Sequence, residues 1–245
     1  MRHYTGTYLF FLFLLTACAS FSQSVNTRVS STMHQLLQEQ QFSGLVGCLV
    51  DQDSIRLFSA GVKNLRTGEK LHEGQRVQVG SITKTVLALG ILKMVTEKKL
   101  ELDEPVKKYL PDLPLDNPWE SKQPVTIRHL LDHTAGLSDL RFWHFFSSSS
   151  NPTTPLRLFY EKNRAVVKVF AQPGTVFSYS NMGYTLLGMV IEAITKQPYE
   201  TYLDKHLLAP LSLTNSTFGF VQQEGAGGDS SHLPSAGRTV YHHGR

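Results

Sequence analysis

The chain has 245 residues, of which 41% are hydrophobic and 18% are charged, a balance that is typical of globular proteins and excludes a disordered chain. Its 24 lysines and arginines outnumber its 20 acidic residues and give a formal net charge of +4. These basic residues are scattered, with no basic block that carries interleaved aromatic residues, so the composition argues against nucleic-acid binding.

The N-terminus is typical of an export signal. A basic residue precedes the apolar run YLFFLFLLTA at residues 8–17, which is too short to span a bilayer and matches a signal-peptide core. The sequence LTAC, which ends at Cys18, resembles a bacterial lipobox and would make this cysteine the lipidated anchor of a lipoprotein. Alternatively, cleavage after Ala19 or near Gln23 would release a soluble protein. We predict a signal peptide over 1–23 and an exported protein, either periplasmic, membrane-anchored or secreted.

A helix and a hairpin are predicted next. Apolar residues recur at helical spacing over residues 24–41, which predicts an N-terminal helix. Gly44–Val50 is a short apolar run that predicts a buried strand, and Ile55–Ser59 follows a polar turn as the returning strand. Cys48 lies within the apolar run and is expected to be a buried core thiol. The cysteine spacing indicates neither a disulfide framework nor a zinc site.

The middle of the chain is predominantly helical. An apolar helix is expected to begin at Ser81, and the prolines between residues 105 and 118 predict a surface excursion. Thr126–Leu131 predicts a short helix with its first residue as the N-cap. Gly183–Ile194 predicts another long apolar helix, and the sequence becomes polar and rich in glycine and serine from Gln222 onward.

Ser81 and Lys84 stand three residues apart at the head of an apolar helix, so they lie on one helical face. A serine hydroxyl becomes a nucleophile when a base takes its proton, and a lysine that burial keeps neutral can be that base. The N–H groups at a helix N-terminus, including that of Ser81, can stabilise an oxyanion. The alternative is that Ser81 only caps the helix and that Lys84 is an ordinary surface lysine. This alternative is less favoured, because the rest of the helix is apolar and is expected to be buried.

A second candidate motif is Tyr179-Ser180-Asn181, directly before the helix predicted at Gly183. A tyrosine hydroxyl can relay a proton between a serine, a lysine and a leaving group, and an asparagine amide can both donate to and accept from a substrate. The alternative is a core tyrosine followed by an asparagine that caps the next helix.

The two motifs in this order resemble those of the penicillin-recognising serine hydrolases, and more narrowly the group of class C β-lactamases, DD-peptidases and esterases. The resemblance covers residues 44–218. It is carried by the stretches VGSITKTVLALGILKMVTEKKLELDEPVKKYLPDLP, TIRHLLDHTAGL and PGTVFSYSNMGYTLLGMVIEAITKQPYETYLDKHLLAPLSLTNSTF.

The resemblance implies an α/β (α+β) fold of the β-lactamase/transpeptidase type, an antiparallel sheet flanked by helices with a mostly helical subdomain. Ser81 would be the acylated nucleophile, Lys84 its proton acceptor, and Tyr179 a partner in base and acid catalysis. Asn181 would bind the substrate amide or orient the lysine, whereas His133 would be structural. The expected substrate is a β-lactam, a D-Ala-D-Ala peptide or a small ester. Neither a metal nor a cofactor is implied.

The third motif of the family, K-T-G or H-x-G on an edge strand, has no convincing equivalent in this sequence. The closing residues YHHGR contain His243-Gly244, but no apolar strand follows them. We therefore expect residues 24–245 to form a hydrolase domain that is incomplete at its C-terminus, with exposed apolar surfaces. The alternative is a truncated or degenerate, non-catalytic relative that binds peptide or glycan. The sequence does not indicate an oligomeric state.

Overall fold

The computed structural model describes residues 25–52, 54–139, 154–161 and 163–219. The predicted signal segment with Cys18, and the polar stretch from Gln222 onward, lie outside the described residues. The chain divides into two compact units, residues 1–75 and residues 76–245. Within the described residues, no helix combines the length and apolar character that crossing a membrane requires.

The first unit contains one helix and a small antiparallel sheet. Helix α1 occupies residues 25–40, and the strands β1, β2 and β3 are Gly44–Asp51, Ser54–Asn64 and Glu69–Lys70, in the order β1-β2-β3. The predicted helix and hairpin are therefore confirmed, although β2 runs five residues beyond the predicted strand end at Ser59. The added length lets β2 pair with β3 as well as with β1.

The hairpin buries only one of its two faces. Met33 of α1 packs with Phe58 and Ala60 of β2, and these three side chains form a small core. Cys48 pairs across the strands with Leu57, so both side chains lie on the opposite face. The prediction of a buried Cys48 is wrong, because this cysteine is exposed. An apolar run does not reveal which strand face is covered, since successive residues point to opposite sides.

The second unit is mainly helical. It begins with a 3-10 turn, Gly80–Ile82, and further 3-10 turns lie at Arg164–Val167 and Ala209–Leu211, with a π-helical turn at Asp204–Leu208. Its α-helices are α2 (Thr83–Thr96), α3 (Val106–Tyr109), α4 (Ile127–Leu131), α5 (Leu158–Glu161), α6 (Asn181–Thr195) and α7 (Tyr199–Leu203). The helix predicted to begin at Ser81 therefore starts two residues later, after the 3-10 turn.

Helices α2 and α6 supply much of the core of the second unit. Leu87 and Ile91 of α2, and Leu186 and Ile191 of α6, are completely buried in one hydrophobic cluster. The proline-rich stretch also joins this core, because Val106, Leu113 and Leu115 are buried in it. The prediction that this stretch lies on the surface is thus wrong for these apolar residues. Their burial removes hydrocarbon surface from water, which stabilises the fold.

The start of helix α4 follows its predicted capping pattern. The Thr126 hydroxyl accepts a hydrogen bond from the backbone N–H of His129 at 3.3 Å. In return, the Nδ1 atom of His129 accepts from the backbone N–H of Thr126 at 3.2 Å. Two backbone donors at the helix end are satisfied in this way, as in a capping box.

Candidate active site

Two helix starts bring the candidate residues together in the second unit. Ser81 lies in the 3-10 turn before α2, and Lys84 lies in the first turn of α2. Tyr179 precedes α6, and Asn181 is the first residue of α6. Because α2 and α6 contact each other, the two sequence motifs meet although they are far apart in the chain.

Lys84 lies at the centre of the resulting hydrogen-bond network. Its Nζ atom donates to the Ser81 Oγ at 3.3 Å, to the Tyr179 hydroxyl at 2.5 Å and to the Asn181 Oδ1 at 3.0 Å. The hydroxyl groups of Ser81 and Tyr179 are 2.8 Å apart and share a further hydrogen bond. Lys84 therefore joins all four predicted site residues, and Ser81, Lys84 and Tyr179 lie at distances over which protons can be transferred.

Ser81 and Lys84 differ in their exposure to solvent. Ser81 is exposed, whereas only 5% of the Lys84 surface is accessible to solvent. Burial lowers the pKa of Lys84 from its usual value to about 7, and the negative charge of Asp139 partly opposes that shift. Near neutral pH, a substantial fraction of Lys84 is thus an uncharged amine that can take a proton from Ser81.

Ser180 rather than Asn181 caps helix α6. The Ser180 hydroxyl accepts from the backbone N–H of Gly183 at 3.1 Å. The alternative that Asn181 is merely the capping residue is therefore wrong, and its amide contacts Lys84 instead. A serine side chain is short enough to fold back on the helix end, and its neighbour is then directed toward helix α2.

His133 holds the segment that carries Tyr179. The Nδ1 atom of His133 accepts a hydrogen bond from the backbone N–H of Ser180 at 3.1 Å. The backbone carbonyl oxygen of His133 accepts a hydrogen bond from the backbone N–H of Ser178 at 2.7 Å. The rings of His133 and Tyr179 are 4.5 Å apart between centroids. Burial, followed by the charge of Lys84, lowers the pKa of His133, which favours the neutral ring that this acceptor role requires. These contacts agree with the structural role that the sequence resemblance implies.

Asp139 is a site residue that the sequence analysis missed. Its carboxylate accepts from the backbone N–H of Asn181 at 2.7 Å and from the side-chain Nδ2 of Asn181 at 2.9 Å. Asp139 stands two residues beyond the stretch TIRHLLDHTAGL, and the spacing to Asn181 gives no hint of the contact. Only its position just after a stretch that carries the family resemblance could have drawn attention to it.

The described residues contain no group of three or more His, Cys, Asp or Glu side chains that could hold a metal ion. The polar centre is bordered by apolar side chains. Phe177 packs edge-on against His133 with ring centroids 5.8 Å apart and is 69% exposed, and Ile82, next to Ser81, is 65% exposed. Ser81 is therefore exposed to solvent beside apolar side chains.

Comparison with known proteins identifies a matching family and several relatives of similar sequence. Residues 29–241 match the beta-lactamase family. Among curated relatives, the protein flp of Staphylococcus aureus strain MW2 is 33% identical over 146 residues, which are 58% of this chain and 28% of that protein. Esterase EstB of Burkholderia gladioli is 29% identical over 221 residues, which are 85% of this chain and 55% of that protein.

Solved structures resemble the fold. The octameric penicillin-binding protein homologue from Pyrococcus abyssi superposes with a TM-score of 0.67 at 28% identity, covering 77% of this chain and 43% of that one. The D-amino acid amidase from Ochrobactrum anthropi SV3, complexed with L-phenylalanine, superposes with a TM-score of 0.64 at 26% identity. The match covers 76% of this chain and 50% of the amidase. The predicted β-lactamase/transpeptidase-like fold is confirmed. The chain spans about a quarter to just over half of the length of these relatives.

Proposed function

The chain belongs to the beta-lactamase family, and from this membership we propose that it is a serine hydrolase that acts through a covalent acyl-enzyme. The observation that carries the proposal is the position of Lys84, whose buried Nζ atom contacts Ser81 Oγ, Tyr179 OH and Asn181 Oδ1 at once. A lysine with a pKa of about 7 in this position is suited to activate a serine at neutral pH.

In the proposed reaction, Ser81 Oγ bonds to the carbonyl carbon of the substrate and passes its proton to Lys84, directly or through Tyr179. The backbone N–H of Ser81, at the start of the helical segment, stabilises the oxyanion of the tetrahedral intermediate. The bond to the leaving group then breaks, and the leaving group takes a proton from Tyr179 or Lys84. Water next attacks the acyl-serine and gives up a proton to the same pair, which passes a proton to Ser81 Oγ as the ester bond breaks, so that the acid and the free Ser81 hydroxyl are released.

Asn181 binds the substrate in this proposal, through the amide that also accepts from Lys84. The substrate class is an acyl compound with a small leaving group: a simple ester, a D-amino acid amide or D-Ala-D-Ala peptide, or a β-lactam. The names of two relatives, an esterase and a D-amino acid amidase, support the first two classes. The exposed Phe177 and Ile82 favour an apolar acyl group.

We further propose that the protein is exported by its apolar segment at residues 8–17. Lipidation of Cys18 would attach it to a membrane, whereas cleavage after Ala19 or near Gln23 would release it. Mass spectrometry of the mature N-terminus from a bacterial host separates these outcomes. A diacylglycerol-modified Cys18 that is lost, together with membrane attachment, in Cys18→Ala would support the lipoprotein, and an unmodified later start would support soluble export.

Labelling with a fluorescent fluorophosphonate and a fluorescent penicillin tests the hydrolase proposal. The whole chain and its Ser81→Ala variant are compared, and intact mass identifies the adduct. We expect a covalent adduct on the wild-type chain and none on the variant, and labelling by penicillin would narrow the substrate to the β-lactam and D-peptide classes. A folded wild-type chain without adduct would contradict the proposal. It would favour the non-catalytic alternative.

A further inference from the structure

Asp139 holds Asn181 by two hydrogen bonds that differ in what they do. Its Oδ1 atom accepts from the backbone N–H of Asn181, in the first turn of helix α6, at 2.7 Å. Its Oδ2 atom accepts from the side-chain Nδ2 of Asn181 at 2.9 Å. The first bond supports the helix start, and the second contacts the side chain that reaches Lys84.

The second bond determines which way the Asn181 amide faces. An ionised carboxylate only accepts hydrogen bonds, so the NH₂ end of the amide must point toward Asp139. The carbonyl end, Oδ1, is then directed at the Lys84 Nζ, 3.0 Å away. A flipped amide would place its NH₂ group against the Nζ donor of Lys84 and its oxygen against the Asp139 carboxylate, and both contacts would be unfavourable.

We propose that Asp139 is a positioning residue of the active site, which orients the Asn181 amide so that its oxygen faces Lys84. The inference rests on the proposed function, because it concerns the base of that reaction. Asp139 acts on the site through its two hydrogen bonds to Asn181.

Among the described residues, several groups surround the Lys84 amine. The ring centroids of Tyr179 and Tyr184 lie 4.6 and 5.5 Å from its Nζ atom, and burial followed by the charge of Lys84 lowers the pKa of the nearby His133. Burial lowers the pKa of Lys84 itself, and the negative charge of Asp139 raises it in opposition.

Asp139→Asn separates positioning from helix support. The new side chain keeps an oxygen that accepts from the Asn181 backbone N–H, so the helix start retains its partner. It loses the charge and presents an NH₂ group to the NH₂ of Asn181, which drives that amide to rotate. Asp139→Glu keeps the carboxylate and serves as the conservative variant. Asp132→Asn is the matched control, because it removes an exposed carboxylate from the same part of the chain.

Two measurements are made on the full-length chain and each variant. The Cε signal of Lys84, assigned with Lys84→Arg, is titrated by NMR to give the pKa of the amine. The rate at which a fluorophosphonate modifies Ser81 is recorded as a function of pH. In Asp139→Asn we expect the lysine titration to move to lower pH by about one pH unit and the maximal rate to fall about tenfold. Asp139→Glu should recover much of both, and Asp132→Asn should change neither.

A lower melting temperature of Asp139→Asn with an unmoved Lys84 titration would assign Asp139 a structural role only and overturn the proposal. A changed pKa of Lys84 with an unchanged maximal rate of Ser81 modification would also overturn the proposal, since the orientation of Asn181 would then not affect the reaction. If the wild-type chain is not phosphonylated at all, the proposed hydrolase function fails. The NMR titration still decides in that case whether Asp139 controls Lys84, because it requires no activity.

Discussion

At the level of single residues, the site combines an exposed serine, the proposed nucleophile, with a buried lysine, the proposed base. Ser81 must meet a substrate from solvent, and it is exposed. Lys84 is chemically useful only when it loses its proton, and its burial makes that loss easier. The difference arises within one helical turn, because Ser81 lies in the 3-10 turn and Lys84 faces helix α6.

The pH dependence of Ser81 modification follows from the pKa of Lys84. This pKa is lowered to about 7, so the amine is charged and inactive as a base below that pH and neutral above it. We expect the rate of fluorophosphonate labelling to rise as the pH increases through about 7. Lys84→Arg keeps a positive charge that cannot be removed, and should lower the rate by roughly 10²–10⁴-fold above about pH 7, with a smaller difference at lower pH. A rate that does not change with pH would argue against Lys84 as the base.

The hydroxyl group of Tyr179 is expected to be needed for proton transfer. Tyr179→Phe removes the atom that contacts both Ser81 and Lys84 but preserves the ring that packs on His133. The labelling rate should fall by about 10²-fold, with little change in melting temperature. Tyr184→Phe is the control, because its hydroxyl donates to the Leu131 carbonyl rather than to the site. It should cost about 1 kcal/mol of stability and leave the rate nearly unchanged.

At the level of elements, the loop after helix α4 approaches the segment before α6 very closely. Gly136 has a φ of +67°, and a Cβ atom at this position would lie 2.2 Å from the carbonyl oxygen of Ala171. Its own carbonyl accepts from the backbone N–H of Phe170 at 2.9 Å. The loop therefore holds the backbone that leads toward Tyr179, and only glycine fits there.

Gly136→Ala is predicted to destabilise the second unit strongly. It combines an unfavourable φ with a clash against backbone that cannot move aside, and we expect a loss of about 3 kcal/mol or more. Gly80→Ala is the matched control, with a φ of +53° but nothing within 4 Å of the added atom, and should cost about 1 kcal/mol. Denaturant unfolding of the two variants measures the difference. Equal losses would show that the contact with Ala171 is unimportant.

At the level of the whole molecule, one face of the sheet in the first unit exposes apolar side chains among the described residues. Val50 and Ile55 pair across strands β1 and β2 and are 66% and 71% exposed, and the pair formed by Cys48 and Leu57 continues the same face. Apolar side chains that are exposed side by side favour association.

We expect this face to cause self-association at high protein concentration. Val50→Thr combined with Ile55→Thr should lower the mass observed by sedimentation and reduce the binding of a hydrophobic dye, because it removes the largest exposed apolar pair. Leu65→Thr is the control, since Leu65 is 79% exposed in the turn after β2 and lies outside the paired face. Equal effects of both variants would contradict a specific role of the face.

The sequence alone determined the local features of this protein. The spacing of Ser81 and Lys84, the cap at Thr126 and the order of helix, hairpin and apolar helices all depend on residues that are close in the chain, and periodicity and capping chemistry report such contacts directly. The family resemblance also identified Tyr179 and Asn181 as partners of the serine motif, although it could not provide their geometry.

Only the tertiary structure decided which distant groups meet. The packing of α2 on α6 places Asn181 against Lys84, and a separate loop brings Asp139 to the same amide. The burial that lowers the pKa of Lys84 likewise comes from packing. Cys48 shows the same limit in a strand, because an apolar run predicts extended backbone but not which face is covered. Contacts between distant segments depend on how whole elements pack, and no local pattern encodes that packing.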